Sequence, residues 1–76
     1  MRMVMLDLMR LMANGIAAEE AFAAEFADEA AQAERMGDSD TAEIMRDLAR
    51  RHRVKALELD GHLAALRLQY AMIFEP

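Results

Sequence analysis

The sequence predicts an all-α protein: an antiparallel helical hairpin with a short N-terminal helix, dimerising into a four-helix bundle. Three observations lead there. Hydrophobic residues make up 55% of the 76, with alanine, leucine and methionine dominant, one tyrosine, three phenylalanines and no tryptophan. That mixture forms helices, whereas strands would draw on β-branched and aromatic residues that are scarce here. Apolar residues recur at steps of three and four along most of the chain, the period of one helical face. Finally, two glycine-marked breaks divide this pattern into three segments, Asn14-Gly15 and Gly37-Asp38-Ser39-Asp40.

The first segment reads as a short helix over 2–13. Asn and Gly both tolerate the left-handed conformation that closes a helix, so Asn14-Gly15 is expected to end it. Five of the eight methionines fall in the first twelve residues, and Met5, Met9 and Met12 share one face. Flexible thioethers suit adaptable hydrophobic contacts, which makes this face a candidate second docking surface. Soft thioethers also select Cu(I), but packing accounts for the cluster more simply.

The second segment reads as a helix over 16–36, opened by acidic Glu19 and Glu20 at the positive end of its dipole. Phe22, Phe26, Ala30 and Ala33 form its core stripe. Ala17, Ala21, Ala24 and Ala31 form a second, smooth strip, and nine of these 21 residues are alanine. Small side chains let helices approach closely, so the strip is expected at a helix contact.

Gly37 is expected at the position just past this helix. Asp40 with Glu43 three residues on makes a capping box for the third helix, over 40–73, with Ser39 as the alternative cap. Met45, Leu48, His52, Ala56, Leu59, Leu63, Leu66, Tyr70 and Ile73 define one apolar stripe on it. Val54, Leu57, Gly61, Ala64, Leu68 and Ala71 define another. One hairpin partner covers one stripe. A helix apolar on most sides is normally buried from most sides, so the second stripe predicts a homo-oligomer, a dimer in the simplest case.

The short connection at Gly37–Asp40 makes the two long helices antiparallel neighbours, with residue i opposite residue 77 − i. Residues 1–40 hold nine acids and three bases, and residues 41–76 hold five acids and six bases. This complementarity supports the register and sets Glu25, Asp28 and Glu29 near Arg50, Arg51, His52 and Arg53.

Function classes are narrowed mostly by exclusion. The net charge of −5 repels nucleic acid and anionic membranes at long range. The basic run Arg50–Lys55 reads as a solvated face, because single-strand recognition would want aromatic platforms beside it. Met1–Ala13 is too short to span a bilayer, which takes about 20 residues, and Asp7 and Arg10 interrupt it. A cytoplasmic protein outside the membrane is the expectation. Without cysteine there is neither a disulfide nor a thiolate metal site. The only serine, Ser39, falls where a cap belongs, and no phosphate loop, H-E-x-x-H or EF-hand loop is present.

The expected function is therefore a small non-enzymatic helical interaction module that uses no cofactor. It acts on itself or on another helical protein through Val54, Leu57, Gly61, Ala64 and Leu68. The alternative is a ferritin-like carboxylate–histidine bundle holding iron or another divalent metal at the dimer interface through Glu25, Glu29, His52, Glu58 and His62. Di-iron bundles of that kind use Glu-x-x-His pairs. Here Ala49 and Leu59 stand three residues before the two histidines. A core histidine bonded to Glu25 or Asp28 is the simpler reading of His52.

Overall fold

The computed structural model describes all 76 residues and contains two helices, α1 (Arg2–Arg35) and α2 (Ser39–Phe74), packed antiparallel. The molecule is a rod whose backbone extends 57 × 15 × 12 Å, its length set by a helix of 36 residues at about 1.5 Å per residue.

The break expected at Asn14-Gly15 does not occur, and the short helix and the middle helix are one. Neither residue has a positive φ. The reason lies in the rows that α1 turns toward α2. Met5, Met12, Glu19, Phe26 and Ala33 recur every seven residues, interleaved with Met9, Ile16, Ala23 and Ala30. Both rows pass through residue 15 without losing phase, so a break would cost main-chain hydrogen bonds and misalign one half of the seam. An internal glycine costs only about 1 kcal/mol relative to alanine. Gly15 also has a packing role: Leu59 Cδ1 lies 3.3 Å from where its Cβ would stand. Glu19 and Glu20 are consequently mid-helix residues and not the opening turn of a second helix.

The second break closes α1 as the sequence predicts. Gly37, at φ 77°, is the only residue in the left-handed region. The Asp38 N–H donates to Ala33 O at 2.9 Å and the Gly37 N–H to Glu34 O at 3.1 Å, the pair of bonds that ends a helix on a left-handed glycine. The cap of α2 is Asp38, however, and neither Asp40 nor Ser39. Its carboxylate accepts the Thr41 N–H at 3.1 Å. With α1 closed at Gly37, the next residue is the first free to reverse the chain, and an aspartate there caps as well as any residue. Glu43 then lies beyond reach of the cap. Hydrogen bonds from Thr41, its hydroxyl first and then its N–H, hold the Asp38 carboxyl below its ordinary value of 3.8. The cap's contribution is therefore complete above that pH and lost as the pH falls through the lowered value.

Between the helices the core is a seam of small residues. On α2 the buried positions are Ala42, Ala49, Ala56, Leu63 and Tyr70, one every seven residues; on α1 they are Met5, Ala23, Ala30 and Ala33. The heptad spacing is that of a coiled-coil seam. Alanine on both sides at the loop end lets the backbones approach, and larger residues fill the open end. There Tyr70 is buried, and its hydroxyl accepts from Arg2 Nε at 2.7 Å. Met5 is buried and Met9 and Met12 are half-buried in this seam, so the face expected as a second docking surface is used against α2. Met3, Val4 and Leu11 are exposed instead.

Candidate functional site

The features that could carry function lie along the two sides of the seam. On one side, the row Met45, His52, Leu59 and Leu66 is only half-covered by α1. His52 is at its centre. Its ring packs against Phe22 at a centroid distance of 5.3 Å and lies nearly parallel to Phe26 at 5.4 Å. Its Nδ1–H donates to Glu19 Oε2, both side chains being about one-fifth exposed (20% and 22%).

The partner of His52 is thus Glu19, in place of the Glu25 or Asp28 expected from the sequence. The expected level along the hairpin is close, since Phe22 and Phe26 flank the ring. Row decides which carboxylate reaches it. Glu19 belongs to the row of Met12 and Phe26 that faces α2, while Glu25, Asp28 and Glu29 are exposed off the seam. The ion pairs expected between those acids and Arg50, Arg51 and Arg53 do not form either. Arg50 and Arg51 pair with Asp47 on their own helix at 3.3 and 2.9 Å, and the one arginine that pairs across the hairpin is Arg46, to Glu34 at 3.1 Å. Such exposed pairs contribute about 0–1 kcal/mol each.

Of the candidate metal ligands, only His52 is on the seam. Glu25, Glu29, Glu58 and His62 are exposed, and within the chain no three His, Asp or Glu side chains come together in an arrangement that could hold a metal ion. The Glu19–His52 pair accounts for the histidine as a satisfied polar group in an aromatic slot. His52→Ala should cost about 1–3 kcal/mol, because it opens a cavity between the two phenylalanines and strands the Glu19 carboxylate. Denaturant unfolding of His52→Ala, Glu19→Ala and the double variant should give a coupling above about 0.5 kcal/mol between these two residues. A coupling of that size to Glu25, with none to Glu19, would contradict the assignment.

The opposite side of the seam is different in character. Here Ala24 of α1 and Leu57 of α2 border one shallow groove with Glu20, Arg53 and Asp60, and Ala27 and Ala31 continue it toward the loop beside Arg46 and Arg50. Ala24 and Ala31 of the alanine strip and Leu57 of the second apolar stripe therefore lie on one face of the hairpin. Of the residues predicted to carry assembly, Leu57 is 72% exposed, Leu68 63% and Val54 48%, and Gly61 and Ala64 are exposed as well. No helix is long and apolar enough to cross a membrane. The chain matches no known protein family, no curated protein and no solved structure.

Proposed function

We propose that this chain is a small non-enzymatic assembly module that works as a homo-oligomer, a dimer of hairpins forming a bundle of four long helices. The observation that supports this most is the mismatch between core and surface. Nine residues are buried, six of them alanine, while Leu57, Leu68 and twelve other large apolar side chains remain outside. An alanine core removes little apolar area from water, and area is what supplies the driving force. Single-chain domains of this size are marginal for that reason, and association is a common remedy.

Light scattering after gel filtration at micromolar concentration should report at least a dimer. A cooperatively melting monomer of 8.6 kDa would overturn the reading. Leu57→Glu and Leu68→Glu should each shift the protein toward monomer and lower its melting temperature, because a carboxylate brought into a helix contact without a partner is strongly destabilising, by about 3–5 kcal/mol where burial is complete.

A further inference from the structure

Resting on that reading, we infer that the two copies meet through the Ala24–Leu57 face, each helix running antiparallel over its own counterpart. The twofold axis lies in the interface, across the helices at the level of Phe22 in α1 and Lys55 in α2.

The order of charge along this face carries the inference. From the open end of the hairpin to the loop come two bases, Arg10 and Arg67, then two acids, Glu20 and Asp60. Three bases follow, Arg53, Arg50 and Arg46, the last paired with Glu34 inside the hairpin, and then two acids, Glu34 and Glu43. The heptad rows place all of these beside the groove, since Arg10 stands two heptads before Ala24, while Glu43 and Arg50 precede Leu57 by two heptads and one. A twofold contact brings each residue opposite one at the mirrored level of the other copy. About the stated axis, six of the nine charged residues meet an opposite charge, while Glu20 falls over the partner's Ala24, Arg46 over the partner's Ala64 and Arg53 over the partner's Leu57. Arg10 falls over the partner's Glu34, Asp60 over the partner's Arg50, and Arg67 over the partner's Glu43. On α1 the surfaces between them are small, with Ala13 over the partner's Ala31 and Ala17 over the partner's Ala27. Leu57 stands beside the dip bordered by Ala23, Ala24 and Ala56.

Charge usage within the chain agrees. Glu20, Glu43, Arg53, Asp60 and Arg67 make no ion pair inside the hairpin, and the pairs that Arg10, Glu34 and Arg50 do make are exposed ones of 3.1–3.4 Å. The face is also large enough. Backbone extents of 57 and 15 Å enclose on the order of 850 Å², against roughly 800 Å² per partner in a standard interface. A second copy is the occupant this pattern fits, because six charges of one face match one another about a single axis, which the face of an unrelated protein gives no reason to expect. The opposite side of the seam, around Phe22, carries no such order.

Two complementary variants test the pairing: Glu43→Arg with Asp60→Arg, and Arg50→Glu with Arg67→Glu. Circular dichroism should find both helical. Each alone should have its dimer dissociation constant raised by roughly a hundredfold or more, since four attractions across the interface become repulsions. An equimolar mixture should restore a dimer of one copy of each, read by native mass spectrometry. Wild-type protein that is monomeric at micromolar concentration overturns the assembly reading itself. A wild-type dimer whose charge variants dimerise equally well overturns only this face and moves the contact to the Phe22 side. Variants that dissociate but do not recover on mixing overturn the antiparallel pairing.

Discussion

Deleting residues 1–13 should unfold far more than the segment removed. These residues are the first three turns of α1, and they cover the end of α2 where Leu63 and Tyr70 are 2% and 8% exposed. Their loss uncovers both side chains and removes Met5 from the seam. It also removes the Arg2 contact, a hydrogen bond of 2.7 Å to the Tyr70 hydroxyl with the guanidinium 5.8 Å from the ring centroid. At about 1.5–3 kcal/mol for each large apolar side chain returned to water, the loss approaches the entire stability of a chain this size, roughly 0.05–0.15 kcal/mol per residue. Far-UV circular dichroism at 25 °C should therefore lose helix beyond the deleted residues, because α2 after Gly61 has nothing left to lie against. An unchanged melting temperature, with helix lost only in proportion to length, would mean that the N-terminal turns do not pack on α2.

The all-helical hairpin is legible from period and composition, and the closure at Gly37 from a single glycine. The N-terminal division is not, because Asn14-Gly15 is a strong local stop signal that the fold overrides. Local signals of about 1 kcal/mol yield to a seam that runs on in phase. The spacing of seven from Met5 through Met12, Glu19 and Phe26 to Ala33 is the signal of continuity. The same spacing marks the core of α2. Leu63 and Tyr70 stand out as apolar residues, but Ala42 and Ala49 in the same row look like ordinary helix filler until the heptad is counted.

The candidate site is legible in part. Leu57, Ala64 and Leu68 emerge from the sequence as a stripe that a hairpin leaves uncovered, and this hairpin leaves them uncovered. That the alanines of α1 border the same groove follows only from the antiparallel arrangement, which sets corresponding sides of the two helices on one face. His52 is legible as a seam residue, but its partner is not. A register places residues at a level, whereas a hydrogen bond depends also on the row from which a side chain leaves its helix, and Glu25 leaves from the wrong one.

Ala49→Leu should be among the most destabilising single substitutions. Ala42 is fully buried and Ala49 is 2% exposed, and Ala23 and Ala30 are buried on the facing helix, so three added carbons must part the seam or turn out into the shallow groove that Ala30 and Ala49 border. By hydrophobicity alone the change should stabilise, and sterics decides the sign. Overpacking costs about 1–3 kcal/mol where a core can adjust, and the upper end applies where both facing surfaces are alanine. Ala65→Leu, on an exposed position of the same helix, adds the same carbons without crowding and should stay within about 0.5 kcal/mol of wild type. Urea denaturation of the two variants separates volume from hydrophobicity; a midpoint for Ala49→Leu at or above that of wild type would mean that the seam is loose enough to repack around leucine. Adding Ala42→Leu probes how the seam yields. The two sites are about 10.5 Å apart along the helix, a separation at which independent effects add. Helices that respond as stiff rods are already parted by the first leucine, so the second enters a gap and the combined cost falls short of the sum. Costs that add in full would mean that each helix bends locally around its own leucine.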